Sequence, residues 1–363
     1  MKFEPFALER WLLKPCGIDV AGGGVTKLKL RDITATIDYE RLMKYGVTTN
    51  GSEELRKQIA DWFPGVEPDN ILVTSATSEA NLLCNLHLLD SGDEYVAESP
   101  YYAQTVGFAK AMGCKIKDFH LEEQNGWKPN LQELNEVVTR KTKIIFFDNP
   151  NNPTGALLTD QEMRAICEIA KDAGAYVVCD NALRGSELDG QPGLTPFGYY
   201  EKAVITGSIS KLGMTDPRIG WIIADKEFVK ACWRIKDYTS LSHSGLGEYL
   251  AIQALRRETR ERINKRNLEF SKSNLPVLSR WIEQEKAVLS CVQPKAGFTA
   301  FPKYNLPLSS EELCNRFLTE EKVLLAPGEQ FGVDKHFRIN IGCPQETMST
   351  VLKRMSAFLK RIK

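Results

Sequence analysis

Residues 203–218 read AVITGSISKLGMTDPR, and they decide how the rest of the chain is interpreted. An apolar strand is predicted over 203–208, and it ends in hydroxyl side chains that lead directly to Lys211. Most lysines are solvated surface charges, but burial and a neighbouring cation such as Arg218 lower the pKa of a lysine amine. A neutral amine is a nucleophile, so the segment predicts a reactive lysine at the end of a core strand.

Three other predicted strands also lead into polar residues. Strand 71–74 runs into a helix that begins around Ser75-Ala76-Thr77-Ser78, where free N–H groups suit a phosphate, although an ordinary N-cap has the same composition. Strand 143–148 leads into the Pro-rich loop 149–155, NPNNPTG, whose asparagine amides can be directed at a ligand. Strand 175–180 ends at Asp180, a carboxylate that needs a partner or a bound cation.

Short apolar strands alternate with helical segments from residue 53 to residue 224, which predicts a mostly parallel seven-stranded sheet with helices on both faces. The predicted strands are 71–74, 94–98, 115–121, 143–148, 175–180, 203–208 and 219–224. Ligands of such sheets bind beyond the carboxyl ends of the strands, where the polar residues lie. A long helical stretch over 244–273 precedes an α+β tail, with strands predicted over 287–293, 297–303, 322–325 and 337–341 and helices over 310–320 and 345–361. We therefore predict a large domain over 41–274 and a smaller α+β domain formed by 1–40 and 275–363.

The composition is that of an ordinary globular protein and excludes several classes of function. The 363 residues include 47 Lys and Arg against 47 Asp and Glu, so a nucleic-acid or membrane partner is not expected. Nine cysteines without a CxxC pair and four dispersed histidines predict reduced thiols and no metal site. Neither a signal peptide nor an apolar run long enough to cross a bilayer is visible, so we expect a cytoplasmic protein.

The whole set of motifs resembles one family. The motifs are YGVTTNGSEELR, VTSATSEA, SPYY, NPNNPTG, VVCDNALRG, SISKLGMTDPRIGW and FRINIG, in this order. In this combination they resemble the fold type I pyridoxal-5'-phosphate (PLP) enzymes, the aspartate aminotransferase superfamily of class I and II aminotransferases. The resemblance implies PLP as the cofactor, and transfer of an amino group between an L-amino acid and a 2-oxo acid.

The resemblance also implies a role for individual residues. Lys211 corresponds to the lysine that forms the Schiff base and moves the Cα proton, and Asp180 to the carboxylate on the pyridine nitrogen. Arg338 resembles the arginine that binds the substrate carboxylate, in a site to which Gly24 and Asn152 also contribute. The remaining predicted cofactor contacts are Ala76, Thr77, Ser78, Tyr102, Asn152, Ser208, Ser210, Arg218 and, reaching the neighbouring subunit of a homodimer, Tyr45.

The sequence departs from the family pattern in ways that leave the reaction open. Relatives place a tyrosine three residues after the aspartate, where this chain has Leu183, so a phenol that contacts the cofactor's 3-oxygen is absent. The N-terminal turn contains three consecutive glycines, 22–24, which gives either a flexible turn or extra room for the substrate. Other segments resemble a branch containing capreomycidine synthase-like proteins. A PLP-dependent lyase, cyclase or oxidase acting on a modified amino acid is therefore the alternative.

Two further hypotheses concern the pocket and the class of protein. Arg184 and His243 either line the substrate pocket or serve purely structural roles, and their spacing does not decide between these. A ligand sensor of the same fold behind a DNA-binding domain is not expected, because the aminotransferase-like sequence starts at the first residues.

Overall fold

The computed structural model describes residues 2–42 and 48–362. Its strands are β1 (Ile18–Asp19), β2 (Ile71–Thr74), β3 (Glu94–Ser99), β4 (Lys115–Glu122), β5 (Lys128–Pro129), β6 (Thr142–Asp148), β7 (Tyr176–Asp180), β8 (Ala203–Ser208), β9 (Gly220–Ile223), β10 (Leu289–Ser290), β11 (Thr299–Ala300), β12 (Lys303–Tyr304), β13 (Val323–Leu324), β14 (Ala326–Pro327) and β15 (Phe337–Asn340). Its α-helices are α1 (Ala7–Trp11), α2 (Leu30–Ile33), α3 (Tyr39–Leu42), α4 (Glu53–Ala60), α5 (Ala76–Leu88), α6 (Gln104–Met112), α7 (Leu131–Val137), α8 (Asp160–Ala173), α9 (Lys226–Lys236), α10 (Gly245–Leu255), α11 (Arg257–Gln284), α12 (Ser310–Glu321) and α13 (Gln345–Ile362).

The large sheet has the strand order β2-β9-β8-β7-β6-β3-β4-β5. Neighbours from β8 to β4 pair in parallel, and β9 runs antiparallel to both β2 and β8. All seven predicted strands are present, and the mostly parallel α/β fold is confirmed. The eighth strand, β5, contributes two residues at the edge, and its length explains why no sequence pattern indicated it.

Helices cover both faces of this sheet because its strands are apolar on both sides. Side chains of α5 and α9, including Leu83 and Phe228, pack with β3 and β6 on one face. Met163 and Ile166 of α8 pack on the opposite face with β6 and β7. Helix α8 also shows how local sequence sets its own ends: Thr159 and Glu162 form a reciprocal capping box at its start.

Another apolar cluster, separate from those on the two faces of the sheet, contains the N-terminal segment, the end of α11, α12, α13 and the short strands of the tail. Strand β1 pairs in parallel with β13, and the Trp11 indole donates a hydrogen bond to the Leu325 carbonyl over 2.7 Å, so these N-terminal residues contact the C-terminal part. Ile33 packs instead with the large sheet and α10. The tail strands predicted over 287–293 and 297–303 are only two residues long, because most of those apolar side chains pack from irregular backbone.

The helices of the C-terminal half begin and end at residues that differ from those predicted. The helical stretch predicted over 244–273 is two helices separated at Arg256, whose extended backbone (ψ 132°) breaks the first and begins the second. Helix α11 then continues to Gln284, through the domain boundary predicted near residue 275, so the division into 41–274 and 1–40 plus 275–363 stays a prediction. Within residues 2–42 and 48–362, no helix combines the length and apolar composition needed for a bilayer crossing.

One close backbone contact fixes the geometry of the sheet edge where the predicted site residues lie. Ala76 begins α5 with a positive φ of 67°, a conformation that few non-glycine residues adopt. Gly220, the first residue of β9, lies directly against it: a Cβ atom on Gly220 would be 2.4 Å from the Ala76 carbonyl carbon. Gly220 therefore allows the first turn of α5 to approach the sheet.

We predict that Gly220→Ala destabilises the protein by about 1–3 kcal/mol, because the new methyl group overlaps backbone atoms that cannot move independently. Thermal and urea unfolding would measure this change. Gly107→Ala in α6 is the matched control, since a Cβ there meets nothing within 4 Å. The control should change the unfolding free energy by less than about 1 kcal/mol. Equal unfolding midpoints for the two variants would contradict the packing argument.

Candidate active site

The polar residues that follow the strands meet at one edge of the large sheet, around a cavity of about 440 Å³. Lys211 and Asp180 both line this cavity. It is also lined by most of the other predicted residues, namely Ala76, Thr77, Ser78, Tyr102, Asn152, Ser208, Ser210 and Arg218. Two of these predicted residues, Ala76 and Arg218, are 142 positions apart in the sequence, so the fold brings distant residues together.

One end of the cavity is suited to an anion. Ser75 precedes α5 but its side chain makes no capping hydrogen bond, so the first N–H groups of this 13-residue helix are not occupied by it. The buried Thr77 and Thr215 hydroxyls face the cavity without a hydrogen-bond partner. The Gln104 amide donates to the Ser78 hydroxyl oxygen over 3.0 Å, which leaves the Ser78 proton available for a ligand. A phosphate group fits this combination of helix N-terminus, hydroxyls and Arg218.

Asp180 is held by groups that the sequence did not reveal. One carboxylate oxygen accepts the Ala182 N–H over 2.9 Å, and the other accepts the Asn81 amide over 3.2 Å. The Thr206 hydroxyl donates to Asn81 over 2.7 Å and fixes the orientation of that amide. Burial raises the pKa of Asp180, while these hydrogen bonds and the Lys211 charge oppose the rise. The carboxylate is therefore rigidly aimed at the cavity and favours a cationic partner.

Lys211 lies in the short 3-10 helix Ser210–Leu212 that follows β8. Its neighbours Ile209, Leu212 and Met214 are buried, as the sequence indicated. Burial, with a contribution from the Arg338 charge, lowers the pKa of the Lys211 amine to about 8. An appreciable fraction of the amine is therefore neutral near physiological pH, as attack on a carbonyl group requires.

Only one of the three asparagines in the NPNNPTG loop faces the cavity. The Asn149 amide donates to the Leu194 carbonyl over 2.7 Å, and the Asn151 amide donates to Glu98 and to the Pro100 carbonyl. These two side chains hold the loop. Asn152 lines the cavity and accepts a hydrogen bond from Arg338 over 2.9 Å, so its amide N–H groups remain for a ligand.

Arg338 is 2% exposed and is held by the N-terminal segment. Its Nε and Nη2 atoms donate to the Ala21 carbonyl over 3.0 and 2.6 Å. A Cβ atom on Gly23 would be 3.1 Å from Arg338 Nη1 and 3.7 Å from Lys211 Nζ, so Gly23 is the glycine that approaches both residues. Gly24, the predicted contact, has no atom within 4 Å of its Cβ position, and its carbonyl accepts from Asn340.

Several residues that line the cavity were not predicted. They are Glu9, Gln104, Asp148, Pro150, Ala182, Leu183 and Thr215. Glu9 of α1 accepts a hydrogen bond from the Tyr102 phenol over 2.7 Å and so fixes Tyr102 at the cavity. Leu183, noted as a departure from the family, does line the cavity, while its neighbour Arg184 does not: Arg184 donates to the Trp62 carbonyl.

Two other sequence hypotheses have plain outcomes. His243 does not line the cavity either, because its buried ring pairs with Glu248 over 2.9 Å. Both Arg184 and His243 are therefore structural residues.

Tyr45 lies outside the described residues, and its predicted contact with a neighbouring subunit stays a prediction. Within residues 2–42 and 48–362, no group of three His, Cys, Asp or Glu side chains is placed to hold a metal ion.

Comparison with known proteins identifies the class to which this fold and site belong. Residues 29–355 match the class I and II aminotransferase family, so the chain belongs to that family and is a PLP-dependent enzyme. Capreomycidine synthase of Streptomyces vinaceus is 27% identical over 96% of this chain and 92% of its own. The aspartate aminotransferase of Bacillus subtilis is 25% identical over 96% of this chain and 93% of its own.

Solved structures give the same assignment. A PLP-dependent aminotransferase from Streptococcus suis superimposes with a TM-score of 0.92 and 30% identity, covering 100% of this chain and 99% of that one. The PLP-dependent cyclase OrfR superimposes with a TM-score of 0.89 and 27% identity, covering 99% of this chain and 98% of that one. These similarities support the predicted resemblance to the branch that contains capreomycidine synthase-like proteins. The matching structures include both an aminotransferase and a cyclase.

PLP is the cofactor of this family, and the residues around the cavity fit it. The unpaired Thr77 and Thr215 hydroxyls and the free helix N-terminus suit its phosphate, and the rigidly held Asp180 suits its protonated ring nitrogen. The Lys211 amine, whose pKa burial and the Arg338 charge lower, suits its aldehyde.

We predict that covalent capture of PLP by Lys211 accelerates with pH. The neutral amine reacts, so the rate should rise about tenfold per pH unit below the pKa and level off above it. That pKa is about 8. Stopped-flow absorbance would measure the rate, with Lys211→Ala as the control that lacks the amine.

The charge of Glu9 raises the pKa of Lys211, so Glu9→Gln should move the midpoint of this profile to lower pH. A rate that still rises about tenfold per pH unit up to about pH 10, without levelling near 8, would contradict the assignment of a lowered lysine pKa.

Proposed function

We propose that this protein is an aminotransferase that moves an amino group between an L-amino acid and a 2-oxo acid through Lys211. The observation that carries the proposal is the Lys211 amine, which lines one cavity with Asp180 and is influenced by the charges of both Asp180 and the buried Arg338. Each of these charges corresponds to one part of the reacting pair: Asp180 to the cofactor ring and Arg338 to the carboxylate of an amino acid.

Each residue has one task in this proposal. When bound, PLP supplies an electron sink for the bond that breaks at the substrate Cα. Asp180 keeps the proton on the ring nitrogen, which is where the electrons are drawn. Lys211 Nζ would take the proton from the substrate Cα and deliver it to the C4' carbon of the cofactor, since its lowered pKa lets the amine act in both directions near neutral pH.

Arg338 binds the α-carboxylate and so orients the substrate. Two of its nitrogens are fixed by the Ala21 carbonyl and a third by Asn152, which holds the planar guanidinium in place. Arginine suits this task because its guanidinium can donate two parallel hydrogen bonds to a carboxylate. Burial lowers the pKa of Arg338 to about 10, which keeps it cationic at neutral pH.

A second candidate reaction is elimination, cyclisation or oxidation of a modified amino acid. It is supported by Leu183, which lines the cavity where relatives have a phenol, and by the similarity to capreomycidine synthase and to the cyclase OrfR. We further propose a cytoplasmic homodimer in which Tyr45 reaches the cofactor of the neighbouring subunit.

A single-turnover experiment separates the two reactions. The PLP-loaded protein is mixed with a panel of L-amino acids, and the 2-oxo acid, pyridoxamine phosphate, ammonia and peroxide are quantified. Aminotransfer predicts one 2-oxo acid for each cofactor converted to pyridoxamine phosphate. Ammonia, peroxide or a cyclic product without that conversion would establish the alternative.

We predict that Arg338→Lys raises KM for the amino acid about 100-fold or more, because an ammonium group cannot reproduce two parallel hydrogen bonds to a carboxylate. Steady-state kinetics and cofactor titration would measure the effect. Cofactor affinity should change little, and the exposed Arg280→Lys should behave like the unaltered protein. An unchanged KM in Arg338→Lys would place the carboxylate elsewhere.

A further inference from the structure

The cavity contains a carboxyl group that none of the tasks above uses. Asp148, the last residue of β6, is 5% exposed and lines the cavity. Neither of its side-chain oxygens has a hydrogen-bond partner. Burying an unpartnered carboxyl group costs free energy, and such exceptions to the packing rules are concentrated at sites that bind ligands.

The groups that face Asp148 determine whether its carboxyl group is protonated or ionised. Asp148 pairs in register with Asp180 on β7, so the two carboxyl groups lie side by side. Glu98 of β3 accepts the backbone N–H of Asp148 and adds a third acidic side chain. Burial together with both neighbouring charges raises the pKa of Asp148 well above its usual range. The backbone N–H groups of Tyr102 and Asn152 favour the ionised form and oppose this rise only partly.

Three acidic side chains buried next to one another do not all ionise, and their proximity favours the protonated form of Asp148. An ionised carboxylate only accepts hydrogen bonds, whereas a protonated one carries an O–H donor. Glu98 behaves similarly, since burial raises its pKa to about 8, but its Oε1 atom accepts from the Asp148 N–H and the Asn151 amide, and Glu98 does not line the cavity. Asp148 is therefore the unoccupied donor beside Asp180 and Asn152.

We propose that Asp148 is a binding residue for PLP that donates its O–H to the oxygen substituent of the pyridine ring. It thereby supplies a hydrogen-bond donor in the cavity in which Leu183 replaces the phenol. The location supports this acceptor, because the neighbouring Asn152 directs its free amide into the same cavity and Asp180 serves the ring nitrogen. The inference rests on the PLP site described above, and it applies to the aminotransferase and the alternative reactions alike.

The test compares an amide, which keeps a donor, with an apolar side chain of similar size. PLP affinity is measured by titrating cofactor-free protein, for Asp148→Asn and for Asp148→Leu. The leucine variant should lose about tenfold or more in affinity, the free energy of one hydrogen bond to a charged or strongly polar group. The asparagine variant should stay within about threefold of the unaltered protein. Asp172→Asn on the exposed face of α8 is the control.

A second readout separates ligand binding from a structural role of Asp148 in holding the Tyr102 and Asn152 loops. The melting temperature of the cofactor-free Asp148→Leu protein should equal or exceed that of the unaltered protein, because the substitution removes a buried unpartnered carboxyl group. A lower melting temperature in the cofactor-free variant would overturn the proposal in favour of a structural role. Adding Leu183→Tyr to Asp148→Leu should restore part of the lost affinity.

The ligand atom can be tested directly with 3-deoxypyridoxal 5'-phosphate, which lacks the ring oxygen. The affinity lost in Asp148→Leu should appear with PLP and be absent with this analogue. Equal losses with both compounds, or no loss with PLP, would overturn the proposal. These results are distinguishable from failure of the PLP site itself, in which case the unaltered protein would not bind PLP.

Discussion

Parallel pairing of β3, β6, β7 and β8 is the constraint on which the active site depends. It brings the carboxyl ends of these strands to one edge of the sheet, so that the acidic ends of β6 and β7 and the Lys211 segment after β8 become neighbours. Antiparallel β9 completes the edge, because Gly220 lets the first turn of α5 approach closely enough to present its N–H groups. Polar and charged side chains that are far apart in the sequence thereby line one cavity.

Residues whose signal is local were predictable from the sequence. Lys211 and Asp180 follow strands that are obvious as apolar runs, and the proline-rich loop marks Asn152. Glu9 and Asn81 were missed because their roles depend on how α1 and α5 pack, and an acidic or amide residue on a helix carries no local sign of its partner. The strands of the C-terminal tail were predicted too long because apolar residues indicate burial but not strand pairing. Most of the buried side chains there belong to irregular backbone.

Acidic side chains are concentrated beside the cavity. Three acidic groups, Glu98, Asp148 and Asp180, are buried near one another, and burial raises the pKa of each. Such a group cannot be fully ionised, so the protons it retains become part of the chemistry of the site. Together with Leu183, this arrangement gives the chain its own hydrogen-bonding pattern within a widely shared fold, and fold similarity alone therefore does not determine the reaction.

The hydrogen bonds from Arg338 to the Ala21 carbonyl have an entropic consequence. A guanidinium group has five N–H donors, of which Ala21 and Asn152 engage three, leaving one on each terminal nitrogen. The rotational freedom of this long side chain is lost during folding, not when a substrate arrives. Preorganisation of this kind raises affinity without any additional contact. If Arg338 binds the substrate carboxylate as proposed, the Ala21 carbonyl contributes to recognition by having immobilised that side chain in advance.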